Sequence, residues 1–133
     1  MSVEQQEAVL REFLSATATG DLDRLAKALA GDATLICDGE NLGAAAPPPI
    51  HGAAVFDFLT SRIRTLLSAG AQFTQSCFGE VPLLLAYREE KLVKALALVL
   101  RAGHVHTIYL VNCPVRLRSI AARCKAADRR EDS

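Results

Sequence analysis

The chain has 133 residues and a mass of 14.3 kDa, which is the usual size of one folded domain. Half of its residues are apolar and 23% are charged, and this balance excludes disorder over the whole length. Fifteen basic and fifteen acidic side chains cancel, so the net charge gives no general attraction to nucleic acid or to anionic lipid.

The first half of the chain shows helical periodicity. Apolar positions three and four apart predict one helix over residues 3–17, a second from residue 22 to residue 31, and a third over residues 53–68. Between the first two, Gly20 suits the left-handed conformation that ends a helix. Asp21 is then suited to cap the second helix.

A strand and a loop are predicted between the second and third helices. Residues 32–38 contain a run of apolar and β-branched side chains, which predicts a strand. Residues 43–50 carry three alanines and three prolines. Because proline lacks the N–H that a sheet ladder needs, this segment predicts an edge strand or an extended loop.

The second half of the chain predicts an antiparallel meander of four strands. Short turns at Glu89-Glu90 and Ala102-Gly103 separate its strand-like runs. The four runs are residues 72–78, 83–88, 91–101 and 104–111. Helices followed by a meander predict an α+β fold, with three N-terminal helices packed on a curved, mostly antiparallel sheet.

The folded domain is expected to occupy residues 1–120, with residues 114–120 adding at least one helical turn. Residues 121–133 are expected to form a basic, disordered tail because they are mostly polar and terminal. The basic side chains between positions 113 and 130 lack interleaved aromatic residues, so nucleic acid is not an expected partner.

Both faces of the meander are apolar, whereas an antiparallel sheet with one wet face alternates apolar and polar residues. Both faces are therefore expected to be covered. The helices cover one, and the simplest cover for the other is a second copy of the chain. The sequence thus predicts a homodimer through the sheet; the alternative is a monomer whose C-terminal segment covers that face.

Two-residue turns would place small side chains together at the middle of one face, at Ala86, Ala95 and Ala97. Such residues indicate either a closely approaching helix or an unfilled hollow. Phe13 and Phe58 are available to line a hollow. An apolar cavity with few polar groups is the usual form of a small-molecule site, so a small hydrophobic molecule is the expected partner.

Short motifs follow these elements in a fixed order. Residues 9–39 contain a helix, G-D-L-D, a second helix, D-A-T and a strand that ends in Asp38; P-I-H-G precedes the third helix. This order resembles the SnoaL-like branch of the ketosteroid isomerase/nuclear-transport-factor superfamily. The resemblance covers about residues 3–120 and implies a six-stranded cone with an interior pocket, in which dimers are common.

Residues 79–117 resemble one subgroup more closely. They contain G-x-x-P-L-L-L, K-L-V-x-A-L-A-L, G-x-V-x-x-I-Y and N-x-P-x-x-L. These motifs resemble the extra C-terminal SnoaL-like domain of some extracytoplasmic-function RNA polymerase sigma factors.

The resemblance implies positions for a catalytic base and a pocket. Asp38 matches the general base of the isomerases, and Phe58 and Ile108 match pocket positions. The two oxyanion donors of the isomerases are matched by apolar residues, Phe13 and a position near Ala97. Because loss of one such donor costs about a hundred- to a thousandfold in rate, ketosteroid isomerase activity is not expected.

Asp38 and His106 are the candidate catalytic residues. Asp38 is either a base with a raised pKa inside the cone, or a turn residue that accepts backbone N–H bonds. His106 is predicted on the pocket face, where it could share a proton or hydrogen bond with Asp38 or with a ligand; the alternative is a histidine at the open rim, or one satisfied by a neighbour. The predicted pocket contains Phe13, Asp38, Phe58, Ala97, His106 and Ile108.

Three functions follow from these observations. The leading prediction is non-catalytic binding of a small hydrophobic ligand, or a regulatory role like that of the sigma-factor domain. The first alternative is a SnoaL-like enzyme of isomerase, cyclase, dehydratase or epoxide-hydrolase type with Asp38 as general base. The second is a dimerisation or protein-interaction module with a filled core.

No cofactor and no metal are expected. The four cysteines are far apart and form no C-x-x-C motif. The N-terminus carries acidic residues where a secretory signal has a cationic region, and no apolar run is long enough to cross a bilayer. The sequence therefore predicts a cytoplasmic protein with reduced thiols and no membrane partner.

Overall fold

The structure is a computed structural model that describes residues 2–39 and 45–131. In this part of the chain the helices are α1 (Val3–Thr19), α2 (Leu22–Ala28), α3 (Ala53–Ser68) and α4 (Pro114–Glu131). The strands are β1 (Leu29–Cys37), β2 (Ile50–His51), β3 (Gln72–Phe78), β4 (Val81–Arg88), β5 (Lys91–Arg101) and β6 (His104–Val111). The first two residues of the predicted segment 43–50 lie outside the described residues.

The strands form one mixed sheet in the order β2-β1-β6-β5-β4-β3. All neighbouring pairs are antiparallel except β1 and β6, which run parallel. The predicted α+β class with a mostly antiparallel sheet is therefore confirmed. Of the predicted segment 43–50, residues 45–49 form a loop and only Ile50 belongs to the short edge strand β2, which pairs with β1.

The corner between α1 and α2 forms at the predicted residues. Gly20 has a φ of 71°, and its N–H is directed at the carbonyls of the last turn of α1. The Asp21 side chain accepts a hydrogen bond from the backbone N–H of Arg24 at 3.3 Å. The second helix is shorter than predicted, because Leu29 is already extended and pairs with Val105 of β6.

The three N-terminal helices cover one face of the sheet, which is called the inner face below. Its core contains Phe13 from α1, Leu25 from α2 and Val55 from α3, each at most 1% exposed. These side chains belong to the same buried cluster as Leu35 of β1 and Ile108 of β6. Burial of each such large side chain contributes about 1.5–3 kcal/mol to folding.

The predicted assignment of strand residues to faces is wrong for part of the meander. Both two-residue turns form, but the β4–β5 register shifts between Ala86 and Tyr87. Leu83 therefore lies opposite Ala97, one residue beyond the position that an unbroken ladder gives. As a result, Ala95 and Ala97 face away from the helices α1–α3, on the outer face.

Helix α4 packs on this outer face and corrects the expectation of a disordered tail from residue 121. Leu117 and Cys124 of α4 are 6% and 5% exposed and contact a cluster of strand side chains. The members of that cluster on the strands are Leu83, Leu85, Leu92 and Ala95. Small alanine side chains in the outer face thus accompany a packed helix, and not a hollow, which is the first of the two alternatives stated for them.

Candidate functional site

Asp38 stands directly after β1, where the strand meets the end of β6. Its backbone N–H donates to the carbonyl of Leu110 at 3.2 Å. Its carboxylate accepts hydrogen bonds from the backbone N–H of Asn112 at 2.7 Å and of Cys113 at 3.2 Å. These two residues lead into α4, so the carboxylate satisfies amide groups at the start of that helix.

Arg116 completes the surroundings of Asp38, with its Nη1 atom 3.2 Å from the carboxylate. The Asp38 side chain is 12% exposed, and this burial acts to raise its pKa. The hydrogen bonds from Asn112, Cys113 and Arg116 outweigh the burial, so the pKa of Asp38 lies below its ordinary value. A carboxylate in this state is a weak base. The geometry matches the second interpretation of Asp38, a turn residue that accepts backbone N–H bonds.

His106 lies far from Asp38 along the paired strands. Asp38 follows the Cys37–Leu110 pair, whereas His106 lies next to Val105, which pairs with the first residue of β1. His106 is the third residue of β6, close to the Ala102-Gly103 turn at the rim of the sheet, and the β5–β6 register shifts beside it. The interpretation in which His106 reaches Asp38 is therefore wrong, and the alternative, a histidine at the rim or one satisfied by a neighbour, describes its position.

The rim position gives His106 partners of its own. Its Nε2 atom is 3.0 Å from Arg101 Nη2 and 3.8 Å from the carboxylate of Asp32, and its Nδ1 atom is 3.0 Å from Thr107 Oγ1. Both ring nitrogens of His106 therefore have polar partners close by.

A cavity of about 80 Å³ lies between α1, α3 and the inner face of the sheet. Its walls are mainly apolar. They include Phe13 of α1, Leu59 and Ile63 of α3, and Phe73, Leu96 and Leu110 of the sheet. This space is called the interior cavity below. Its charged lining residues are Arg62 and Lys94.

An open cleft of about 440 Å³ lies at the end of β1. Its apolar lining includes Pro47, Pro48, Ile50 and Phe58. Among the residues that the structure describes, its charged lining residues are Asp38, Arg62 and Lys94. Arg62 and Lys94 line both the cleft and the interior cavity, so they lie between the two spaces.

Arg62 and Lys94 are the site residues that the sequence analysis missed. The Arg62 guanidinium lies 4.9 Å from the centre of the Phe58 ring, one helical turn earlier on α3. Lys94 is half-buried in the middle of β5, and its Nζ donates to Oδ1 of Asn112 at 2.7 Å. The sequence feature that could have identified Lys94 is its charge inside the most apolar stretch of the sequence, residues 92–100.

The six predicted pocket residues do not form one pocket. Phe13 lines the interior cavity, and Asp38 and Phe58 line the cleft. Ile108 is fully buried in the core and lines neither space. Ala97 is excluded because the register shift places it on the outer face, and His106 lies at the rim.

The remaining chemistry near the cleft is limited. Burial raises the pKa of the Cys37 thiol, which keeps it protonated and poorly nucleophilic. Among residues 2–39 and 45–131, no three His, Cys, Asp or Glu side chains are grouped so that they could hold a metal ion. Within the same residues, no helix has the length and apolar character needed to cross a membrane.

No protein-family model and no curated protein matches the sequence. Solved structures do match the fold. A SnoaL-like protein of unknown function from Burkholderia thailandensis matches with a TM-score of 0.60 and 11% identity, over 83% of this chain and 96% of that one. An NTF2-like protein from Burkholderia xenovorans matches with a TM-score of 0.56 and 19% identity, over 93% of this chain and 98% of that one.

The extracytoplasmic function sigma factor SigJ of Mycobacterium tuberculosis also matches. Its TM-score is 0.54 at 19% identity, and the match covers 83% of this chain and 42% of the SigJ chain. The fold is thus the SnoaL-like fold of the NTF2-like and cystatin-like proteins. The resemblance that the motifs indicated is confirmed at the level of fold.

Proposed function

We propose that this protein binds a small hydrophobic ligand in the interior cavity and the adjoining cleft, without transforming it. The observation that carries the proposal is the unfilled, apolar interior cavity between α1, α3 and the sheet. Protein cores are close-packed, with few voids larger than a water molecule, so a void of about 80 Å³ beside an open cleft is a feature of a binding site.

The two volumes limit the size of the ligand. A water-sized group needs about 10–15 Å³ of such a cavity, so the interior cavity accommodates roughly five to eight non-hydrogen atoms. That is a short aliphatic chain or a single ring. A polycyclic substrate does not fit there. The cleft, at about 440 Å³, is within the range of small-molecule sites and takes the rest of the ligand.

The contacts of Asp38 argue against an enzyme, and the interior cavity argues against an interaction module with a filled core. A general base at Asp38 would need a free carboxylate, whereas this carboxylate is engaged by two backbone N–H groups and by Arg116. An interaction module with a filled core would not leave the interior cavity empty of side chains.

A regulatory use of ligand binding belongs to the same proposal. It is supported by the likeness to part of the SigJ chain, although at 19% identity that likeness concerns the fold.

The homodimer through the sheet stays a prediction. Since α4 covers part of the outer face, we place such an interface at the part that α4 leaves exposed, around Val99 and Tyr109.

The test is to fill the interior cavity. Ile63 is 5% exposed and lines it, so Ile63→Phe adds volume where the ligand tail is expected to bind. Val81→Phe makes a similar enlargement on an exposed residue of β4 and serves as the control. Binding of hexanoate and hexan-1-ol is measured by ligand-observed NMR.

At least one of the two six-carbon probes is expected to bind the wild-type protein and the Val81→Phe variant. Binding is expected to fall at least about tenfold in Ile63→Phe, while the melting temperature shows that this variant is folded. If neither probe binds the wild-type protein, or if Ile63→Phe binds as well as the control, the proposal is wrong.

A further inference from the structure

We propose that the part of the ligand that enters the interior cavity is an uncharged aromatic ring, which makes the ligand a monocyclic aromatic compound. A polar substituent of that ring then lies in the cleft. This inference rests on the proposed function and specifies the chemical class of its ligand.

The apolar walls of the interior cavity carry the first step of the argument. All of its apolar lining residues are leucine, isoleucine or phenylalanine. Among them, Phe13, Leu59 and Leu84 are at most 3% exposed. Cavities with walls of these residue types stay dry and bind benzene. The interior cavity therefore favours a hydrocarbon group over a polar one.

The charged ends of Arg62 and Lys94 carry the second step. The Arg62 guanidinium lies over the ring of Phe58. Lys94 Nζ donates to Oδ1 of Asn112, and Lys94 makes a further interaction as well, so its charge is not available to a ligand. Phe58 and Asn112 line the cleft and not the interior cavity. Since both charged ends are held on the cleft side, the two residues present their aliphatic stems to the interior cavity.

The hydroxyl groups of the lining carry the third step. Thr17 is 1% exposed, and its Oγ1 donates to the backbone carbonyl of Phe13 at 2.8 Å. The Thr65 hydroxyl donates to the backbone carbonyl of Ser61 at 3.0 Å. Both hydroxyl protons are therefore used within their own helices. A carbonyl or a charged group of a ligand would be buried in the cavity without a partner, which costs free energy.

Phe13 and Phe73 carry the fourth step, which favours an aromatic ring over a saturated group. They come from different elements, α1 and β3, and both line the interior cavity. Contacts between aromatic rings favour association beyond the burial of the same area. A ring also has no internal rotations to lose on binding, unlike a chain. A ring of six carbons is within the roughly five to eight atoms for which this cavity has room.

The experiment compares phenol, cyclohexanol and hexan-1-ol at pH 7 by titration calorimetry with ligand-observed NMR. The three probes are uncharged and share six carbons and one hydroxyl group. They differ in the carbon skeleton, which is an aromatic ring, a saturated ring or a chain. We expect phenol to bind more tightly than the other two by about threefold to tenfold, which is the effect of one aromatic contact.

Three variants test the assignment to residues. Phe13→Leu and Phe73→Leu each replace one aromatic wall by an aliphatic one. Phe78→Leu, on the same strand as Phe73, changes an exposed residue that does not line the cavity, and is the control. The ratio of phenol affinity to cyclohexanol affinity is expected to fall about threefold in each of the first two variants and to stay unchanged in the control.

The ratio is the appropriate measure because both probes experience the same change in cavity volume. Phe73 is only half-buried, so its variant keeps the test valid even where Phe13→Leu fails to fold.

The outcomes separate this inference from the proposed function. Equal binding of phenol and cyclohexanol, blocked by Ile63→Phe, leaves ligand binding standing and overturns the aromatic ring. A preference for phenol that is unchanged in every folded variant of Phe13 and Phe73 also overturns it. Absence of binding by these three probes and by hexanoate overturns the proposed function itself.

Discussion

The carboxylate of Asp38 accepts a hydrogen bond from the backbone N–H of Asn112, 74 residues later in the chain, at 2.7 Å. This contact joins the end of β1 to the segment that leads from β6 into α4. It therefore connects the inner, helix-covered half of the fold to the helix that covers the outer face. Asp38, which the sequence resemblance matched to a general base, therefore stabilises the fold in this protein.

Replacement of Asp38 by Asn tests whether the Asp38 carboxylate stabilises the fold. The variant keeps one acceptor oxygen, loses the charge and places an amide donor near the N–H groups of Asn112 and Cys113. We expect the free energy of unfolding, measured by urea denaturation, to fall by about 1–3 kcal/mol. Arg116→Gln removes an exposed partner and is expected to cost less than about 1 kcal/mol. Unchanged stability of Asp38→Asn would show that the contact is not structural.

The pH dependence of stability follows from the lowered pKa of Asp38. A carboxyl whose pKa is lower in the folded state binds fewer protons there than in the unfolded state. Its contribution is therefore complete well above its ordinary pKa of about 3.9, and is lost as the pH falls toward its folded value. The stability difference between wild type and Asp38→Asn is expected to be largest at pH 7 and to shrink below about pH 4. A difference that stays constant down to about pH 3 would contradict this.

The docking of α4 on the sheet is a separate prediction. Leu117 is 6% exposed and packs among the leucines of β4 and β5, so Leu117→Ala removes buried area and leaves a cavity. We expect a loss of about 2–4 kcal/mol in the free energy of unfolding. Val115→Ala, on an α4 residue that is 45% exposed, is the matched control and is expected to change stability by less than about 0.5 kcal/mol. Equal, small effects of both variants would mean that α4 is not packed on the sheet.

Local signals in the sequence were sufficient for most of the elements. The left-handed Gly20 and the capping Asp21 mark the α1–α2 corner, and the two-residue turns are where the breaks in the strand pattern placed them. Such features depend on a few neighbouring residues. The end of α2 was misplaced because Leu29 pairs with a residue of β6, which is distant in the sequence.

The faces of the meander were not predictable because both are apolar. A shift of one residue exchanges the two faces of a strand, and only an alternating pattern shows that this has happened. Along β5, leucine and alanine alternate after Lys94, so either assignment gives an apolar face. The bulges and the outward position of Ala97 follow from interactions between strands.

The residues of the candidate site, like the elements of the fold, were predicted only in part. Phe13, Asp38 and Phe58 were placed near a cavity or the cleft through the fold resemblance. Lys94 was overlooked, since a lysine within an apolar run was treated as an interruption of that run and not as a residue that lines a cavity. Lys94 faces the inner side because of the bulge that precedes it along β5.

The oligomeric state can be decided at the exposed remainder of the outer face. Val99 and Tyr109 are 45% and 44% exposed, and Tyr109 lies opposite Ala97 in the β5–β6 ladder. If the predicted homodimer forms through the sheet, light scattering after size exclusion gives twice the 14.3 kDa chain mass. Tyr109→Lys then places a charge in the interface and is expected to restore the single-chain mass. Val3→Lys, on α1, leaves the interface intact and keeps the dimer. If the wild-type protein instead has the single-chain mass at every concentration, the predicted homodimer does not form. The apolar surface that α4 leaves exposed on the outer face is then too small to bind a second copy.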